Sequence, residues 1–205
     1  MSDDPISRLL VPAYFHPAVE PAAWAALADE APRLAGVVIN PASGPGPAVD
    51  QAYLDVLPRL RGATRVLGYV DTDYGRRPHA EVVAEIGTYR RWYAVDGVFL
   101  DQTPDGSEAL PHYVRLAIAA RSLGAPYLVL NPGVPPHPAY LDLADLVVTF
   151  EGPWSDYGDR SSDPGCHLVY AAPPGARVHG YATPGELPNP WAVFGNASGA
   201  RGSAR

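Results

Sequence analysis

Lysine is absent from this chain, and all 15 of its basic residues are arginine. Without a lysine amine, the chain cannot form a Schiff base with a carbonyl substrate or with pyridoxal phosphate. It also cannot complete a P-loop, whose lysine contacts the nucleotide phosphates. The sequence therefore excludes lysine-dependent aldolases, pyridoxal-phosphate enzymes and P-loop nucleotidases.

Cysteine is almost as scarce, since Cys166 is the only one in the sequence. A single cysteine excludes an internal disulfide and a cysteine-cluster metal site. The six histidines show neither a His-x-His nor a His-Glu-x-x-His spacing, so a zinc hydrolase is not expected. The Gly-x-Ser-x-Gly motif of many serine hydrolases does not occur either. We therefore expect no metal and no cofactor.

Positive charge is in the minority, because the formal net charge is −7. Such a chain lacks the basic surface that binds phosphate backbones, so nucleic acid is not an expected partner. No apolar stretch reaches the length of a membrane span, and the N-terminus lacks the basic and apolar regions of a signal peptide. We therefore expect no membrane partner and a cytoplasmic location, or secretion if a leader has been removed. The sequence gives no indication of the oligomeric state.

What the chain does contain is a series of near-continuous apolar runs. Such runs are typical of strands that are buried on both faces of a parallel sheet. Segments of helical composition separate the first five runs, and each opens near a Pro, Asp or Ser. The eight expected strands span residues 9–15, 36–40, 65–70, 95–101, 127–131, 146–151, 167–171 and 177–181. The four expected helices span residues 21–34, 49–60, 79–92 and 107–123.

The spacing of these elements is typical of a (β/α) barrel, with an open doubly wound sheet as the alternative. Eight barrel units usually need about 250 residues, so a chain of 205 residues must shorten some of them. Residues 172–176, Ala-Pro-Pro-Gly-Ala, are too few for a crossover helix. We therefore expect an α/β fold, a compact (β/α)8 TIM-like barrel whose last βα units are shortened. Residues 1–194 would form this one domain, and residues 195–205 a flexible tail.

Two of the expected strands end on a carboxylate. Asp101 follows Val-Asp-Gly-Val-Phe-Leu, and Glu151 follows Leu-Val-Val-Thr-Phe. The carboxyl ends of barrel strands surround the mouth where substrates bind. A carboxylate after a strand can also cap a helix or end a turn. The pair, without a metal motif, favours a general acid that acts with a nucleophile or base on a glycosidic bond, by a retaining or an inverting route.

The other expected βα loops carry amides and aromatic rings, which bind sugars by hydrogen bonding and stacking. Asn40 and Asn131 each precede a proline at a strand end. Trp154 lies in a loop after Gly and Pro, where there is little core to fill. Tyr14 and Tyr69 can instead close the end of the barrel core. The candidate substrate-binding residues are Tyr14, His16, Asn40, Tyr69, Gln102, Asn131, Trp154 and Tyr181.

Four segments together resemble the spherulation-specific family 4 (spherulin 4-like) proteins. They are residues 38–46, residues 66–77, residues 89–101 and the Thr-Phe-Glu at 149–151. The similarity runs from about residue 10 to residue 191. It implies a (β/α)8-type barrel and glycoside hydrolase activity on α-1,4-linked polymers of galactosamine or N-acetylgalactosamine. It also implies that Asp101 is the nucleophile and Glu151 the acid/base.

One residue departs from the pattern of that family. Gln102 follows Asp101 where the enzymes commonly carry Glu, so the hydrogen-bonding shape is kept and the charge is lost. If that Glu is the acid/base, this chain is inactive as a hydrolase; if Glu151 is, Gln102 alters only rate or substrate choice. The sequence thus predicts a retaining glycoside hydrolase that acts on an amino-sugar glycan or glycoside. The alternatives are a non-catalytic carbohydrate-binding barrel and a cytosolic enzyme that acts on a small glycoside.

Overall fold

The computed structural model describes residues 9–160 and 163–195, so the expected tail lies outside the described residues except for Gly195. Within this part of the chain, eight parallel strands follow one another around one sheet in sequence order. This topology confirms the compact (β/α)8 TIM-like barrel. The strands are β1 (Leu10–Ala13), β2 (Gly36–Ile39), β3 (Val66–Asp71), β4 (Gly97–Asp101), β5 (Tyr127–Leu130), β6 (Leu146–Pro153), β7 (Cys166–Tyr170) and β8 (Gly180–Ala182).

One α-helix occupies each of the first five connections. The helices are α1 (Pro21–Glu30), α2 (Gln51–Val56), α3 (His79–Tyr93), α4 (Leu110–Ser122) and α5 (Pro138–Leu143). The sequence did not predict α5, because six residues are too few to show a helical period. The helix expected at 49–60 is shorter than predicted, since a 3-10 turn with Pro58 in its first turn replaces its end. No helix in the described ranges is long and apolar enough to cross a membrane.

The last units are shortened as expected. In the described ranges, the connections after β6 and β7 contain no α-helix. The eighth strand begins at Gly180 and not at residue 177, because its pairing with β7 starts where Gly180 lies opposite His167. Tyr157 fills the space beside these strands. Its hydroxyl accepts the backbone N–H of His179 at 2.8 Å and lies 2.9 Å from Nδ1 of His167.

A closing segment, residues 184–195, covers the place where β8 comes beside β1. The backbone N–H of Tyr14, which follows β1, donates to the carbonyl of Trp191 at 3.2 Å. On the β8 side, the backbone N–H of Gly195 donates to the hydroxyl of Tyr181 at 2.6 Å. Phe194 packs against Phe15 and against the Tyr181 ring. The segment therefore joins the first and last strands of a nearly closed barrel.

The helix layer approaches the sheet closely at Gly68 of β3. A Cβ atom added to Gly68 would lie 2.5 Å from the ring of Tyr89 in α3. Tyr89 is fully buried. Its hydroxyl donates to the carbonyl of Ile39 at 3.4 Å, so the ring also contacts the end of β2. Glycine at position 68 therefore sets how closely α3 can lie against the barrel strands.

We predict opposite effects of two glycine-to-alanine substitutions. Gly68→Ala forces the Tyr89 ring and α3 away from β3 and should lower the free energy of unfolding by about 1–3 kcal/mol. Gly87→Ala lies within α3, where an added Cβ meets nothing nearer than Leu123 at 4.0 Å. It should raise the free energy of unfolding by about 0.5–1 kcal/mol. Urea denaturation measures both, and equal stability of the two variants would contradict the packing described.

Candidate active site

A cleft of about 890 Å³ opens at the carboxyl ends of the strands. Asp101 is the last residue of β4, and Glu151 lies near the end of β6. The loop after β2 and the closing segment supply much of the remaining wall. The lining includes Tyr14, Asn40, Ser43, Tyr74, Asp101, Gln102, Asn131, Val134, Glu151, Tyr170, Leu187 and Trp191. The two strand-end carboxylates therefore share one cleft at the mouth of the barrel.

The side-chain amide of Asn131 joins the two carboxylates. Because β5 ends at Leu130, Asn131 is the first residue of the loop at the mouth. Its Nδ2 donates to Oδ1 of Asp101 at 2.8 Å and to Oε2 of Glu151 at 2.5 Å. A side-chain amide has two N–H groups, so each carboxylate receives one of them. Oδ1 of Asp101 and Oε2 of Glu151 can therefore be no farther apart than the sum of these two distances.

Each carboxylate has a second donor from another part of the barrel. The hydroxyl of Tyr69 in β3 donates to Oδ2 of Asp101 at 2.8 Å. The indole N–H of Trp191 in the closing segment donates to Oε1 of Glu151 at 3.0 Å. All four carboxylate oxygens thus accept a hydrogen bond, as buried polar atoms generally do.

Burial shifts the protonation of both groups. The pKa of Asp101 is raised because the carboxyl group is removed from water, and hydrogen bonds from Tyr69, the backbone of Gln102 and Asn131 oppose the rise. The pKa of Glu151 is also raised, first by burial and then by the negative charge of Asp101. Hydrogen bonds from Asn131 and Trp191 oppose it. Asp101 has more donors and feels the negative charge of Asp71, whereas Glu151 feels the negative charge of Asp101.

Tyr14 places a neutral phenol beside this pair. Burial raises its pKa well above the usual value, and the charges of Asp101 and Glu151 raise it further. The ring contacts Tyr69 edge to face, with the centroids 5.6 Å apart. Tyr14 therefore keeps its proton at neutral pH and offers a hydroxyl group at the wall of the cleft.

Asn40 and Gln102 lie on the rim and are held through local hydrogen bonds. Oδ1 of Asn40 accepts the backbone N–H of Gly44 at 2.9 Å, which fixes the loop after β2. Gln102 has a φ of 52°, an unusual value for a residue other than glycine. Its carbonyl accepts the backbone N–H of Tyr74 at 2.8 Å and the hydroxyl of Thr72 at 3.1 Å. Both residues line the cleft.

Four predicted substrate-binding residues are not among those that line the cleft, namely His16, Tyr69, Trp154 and Tyr181. Nε2 of His16 lies 2.8 Å from Oδ2 of Asp50, the residue that caps the N-terminus of α2. The ring of Trp154 stacks on that of Tyr157, with the centroids 5.8 Å apart. Tyr181 is fully buried, and its hydroxyl anchors the closing segment. Their role in substrate binding stays a prediction, whereas Tyr69 reaches the site by contacting Asp101.

Trp191 contacts Glu151, although the sequence placed it only among the aromatic residues expected at the barrel mouth and did not select it as a candidate site residue. It lies 40 residues from Glu151, and it reaches that residue only because the closing segment returns to the barrel mouth. The one signal in the sequence is an isolated Trp after Asn-Pro, beyond the last expected strand. That pattern does not distinguish a core residue from one in a site.

The chemistry of the cleft is that of two carboxyl groups in different surroundings. Among residues 9–160 and 163–195, no three His, Cys, Asp or Glu side chains form a group able to hold a metal ion. Two carboxyl groups that differ in their hydrogen-bond donors and in the charges around them can act as nucleophile and general acid. The geometry therefore fits bond cleavage with proton transfer to a leaving oxygen.

Comparison with known proteins agrees with this geometry. A family model described as spherulation-specific family 4 matches residues 8–173. The curated protein Spherulin-4 from Physarum polycephalum is 34% identical over 188 residues, which cover 88% of this chain and 54% of that protein. The chain thus spans about half the length of this relative. A crystal structure of Aspergillus clavatus Sph3 in complex with GalNAc matches with a TM-score of 0.79 and 30% identity over 93% of each chain.

These matches confirm the resemblance found in the four sequence segments. The family model covers most of the barrel, from residue 8 to residue 173, and the solved structure matches the fold over nearly the whole chain. The chain therefore belongs to spherulation-specific family 4.

Proposed function

We propose that this protein is a retaining glycoside hydrolase acting on a glycan or glycoside that contains galactosamine or N-acetylgalactosamine. The observation that carries the proposal is the pairing of Asp101 and Glu151 on the amide of Asn131. The oxygens it joins lie 2.8 and 2.5 Å from one nitrogen. Inverting enzymes need about 6.5–9.5 Å between the carboxyl groups to admit water, so the close pairing favours retention. The GalNAc complex of the related Sph3 supports the choice of sugar.

In the first step, Asp101 attacks the anomeric carbon while Glu151 gives its proton to the glycosidic oxygen. The bond between that carbon and oxygen breaks, the leaving sugar departs as an alcohol, and a glycosyl ester forms on Asp101. Glu151 holds the required proton because burial and Asp101 raise its pKa. Hydrogen bonds from Tyr69 and Asn131 stabilise the ionised form of Asp101 that attacks, and they oppose the rise that burial causes in its pKa.

In the second step, the ionised Glu151 takes a proton from water. The water oxygen attacks the anomeric carbon and releases Asp101 as a carboxylate. The pair carries one negative charge before, between and after the two steps, and only its position changes. The two N–H groups of Asn131 point to both positions. The amide can therefore serve each state without reorganising, as a preorganised site requires.

A carbohydrate-binding barrel without catalysis is the second candidate, and Gln102 is the observation that favours it. Gln102 lines the cleft directly after Asp101 and provides an amide where the family resemblance gives a carboxyl group. A binding protein needs the rim amides, the neutral Tyr14 hydroxyl and the cleft, but no acid/base pair. The two candidates differ in whether reducing ends appear when the protein meets its sugar.

We predict that loss of either carboxyl group abolishes or strongly reduces hydrolysis. Asp101→Asn removes the attacking oxygen and should bring product formation to background. Glu151→Gln removes the acid and should lower kcat by about 10²–10⁴-fold. The assay measures reducing ends from galactosamine and N-acetylgalactosamine oligomers, polymers and small glycosides. Asp55→Asn on the exposed face of α2, where Asp55 accepts a hydrogen bond from Gln51, is the matched control.

Binding measurements separate the two candidates further. If wild type binds these sugars by calorimetry yet forms no product over long incubation, catalysis is wrong and the binding barrel is favoured. Full hydrolysis by Asp101→Asn would remove Asp101 from the role of nucleophile. Activity on small glycosides alone would favour an enzyme for small substrates over one for polymers.

A carboxyl group at position 102 should change the preference for charge. Gln102→Glu adds a negative charge at the rim without altering the backbone, so affinity for cationic galactosamine oligomers should rise relative to N-acetylated ones. Because rim charges are screened by salt, the gain should shrink between low and high ionic strength. Calorimetric titration of both ligands checks this. A gain that salt does not alter would indicate a different cause.

The buried charge of Asp101 should also appear in the stability of the protein. A carboxyl group with a raised folded pKa makes the folded state bind more protons, so stability falls as pH rises above the unfolded pKa and through the folded one. Asp101→Asn does not titrate, and its amide can accept from Asn131 and donate to the Tyr69 hydroxyl. The variant should therefore unfold at higher urea than wild type at pH 7. The difference should vanish below about pH 4, and a difference independent of pH would contradict the assignment.

A further inference from the structure

Trp24 and Trp191 are both buried tryptophans, but their indole N–H groups have different partners. Nε1 of Trp24 donates to the backbone carbonyl of Phe15 at 2.9 Å, which satisfies a buried donor within the core. Nε1 of Trp191 donates to Oε1 of Glu151 at 3.0 Å. Trp24 shows that a neutral backbone carbonyl is enough to satisfy a buried indole N–H in this fold. The carboxylate partner of Trp191 therefore points to an effect on Glu151 itself.

The indole of Trp191 is fixed before any ligand binds. Its ring meets Tyr170 edge to face and lies tilted against Tyr181, with both centroid distances 6.2 Å. Its carbonyl accepts the backbone N–H of Tyr14 at 3.2 Å. Only 7% of Trp191 is exposed, so its faces are not free to stack on a sugar. What it offers to the site is the N–H edge.

The closing segment is attached on both sides of Trp191. The carbonyl of Gly185 accepts the backbone N–H of Ala171 at 2.8 Å. Beyond Trp191, the carbonyl of Val193 accepts the hydroxyl of Thr183 at 2.6 Å. These anchors come from the ends of β7 and β8, and Trp191 bridges from them to β6. The segment therefore holds the indole across the barrel mouth with little freedom to withdraw.

Within residues 9–160 and 163–195, two side chains hydrogen-bond Glu151, those of Asn131 and Trp191, and both act as donors. An indole N–H can only donate, so Trp191 cannot accept a proton from Glu151. When Glu151 is ionised, both donors stabilise its charge. When Glu151 is protonated, neither Asn131 nor Trp191 accepts a hydrogen bond from its O–H through these contacts. The O–H can then donate to a ligand oxygen in the cleft. The donor pair thus fits a group that alternates between acid and base.

We propose that Trp191 is a positioning residue that orients the carboxyl group of Glu151 and stabilises its ionised form, and that the closing segment presents it. The catalytic consequence rests on the proposed hydrolase function, whereas the effect on the ionisation of Glu151 does not.

The other titratable groups around Glu151 act differently. Asp101, from β4, raises the pKa of Glu151 by its charge. Tyr14 and Tyr69, from the ends of β1 and β3, have pKa values raised well above neutrality and stay uncharged. The hydrogen bonds from Asn131 and Trp191 oppose the rise. Removing the indole N–H should therefore move the ionisation of Glu151 in one direction, to higher pH.

The first test uses the Trp191→Phe variant and measures kcat/KM as a function of pH on an amino-sugar substrate. A hydrogen bond to a charged group is lost, so the basic limb of the profile should move up by about one pH unit. Trp24→Phe is the matched control, because it removes the same N–H from an equally buried ring outside the site. It should lower stability and leave the limb in place. An unmoved limb in Trp191→Phe would reduce Trp191 to a packing role.

A second test needs neither substrate nor the smaller ring. β-(3-benzothienyl)alanine at position 191 keeps the bicyclic ring and replaces only the N–H by sulfur, so the packing of the closing segment is preserved. Titration of 13C-labelled glutamate carboxyl groups by NMR, with Glu151→Gln to assign the signal, gives the pKa of Glu151 directly. The analogue should raise it relative to wild type. An unchanged pKa would overturn the proposal even if hydrolysis is found, and a raised pKa would support it even if none is.

Discussion

The site depends on one shared hydrogen-bond donor, the amide of Asn131. Two carboxyl groups in a buried cleft repel each other when both are charged, and each loses hydration. An amide between them gives one N–H to each without adding charge. The backbone supports this placement, because the N–H of Glu151 donates to the carbonyl of Gly133 at 3.0 Å in the same loop. Pairing of β5 with β6 thus brings the donor and the second carboxylate together.

The unequal surroundings of the two carboxyl groups follow from which elements reach them. Asp101 receives donors from Tyr69 in β3 and from Asn131 in the loop after β5, and it also receives a backbone N–H from Gln102. Glu151, near the end of β6, depends on the closing segment for its second donor, the indole N–H of Trp191. Groups of the same chemistry in different environments take different protonation states, which is how one site can hold both an acid and a nucleophile. The asymmetry of the barrel, closed on one side by strands and on the other by an irregular segment, is therefore part of the site.

The features that could be predicted from the sequence are those that a local residue pattern determines. Apolar runs and their spacing revealed the barrel, and a polar residue directly after such a run had to lie at the mouth, as Asp101 and Asn131 do. Contacts made across the chain left no such signal. His16 pairs with Asp50, which lies 34 residues away, and so does not line the cleft. Trp191 reaches the site through the irregular closing segment, which has no periodic sequence pattern. Helix α5 was missed for a different reason, since its six residues are too few for a pattern.

Gln102 can be understood from the backbone that holds it. Its N–H serves Asp101, and its carbonyl is fixed by Thr72 and Tyr74, so this residue supports the carboxylate whatever its side chain. A glutamate there would add a like charge beside Asp101 and oppose the ionised state that attack on a sugar requires. A glutamine removes that repulsion and leaves both members of the Asp101–Glu151 pair in place. In the proposed mechanism the departure from the family pattern therefore costs neither the nucleophile nor the acid. The effect of Gln102 is to remove one negative charge from the rim of the cleft where the sugar binds.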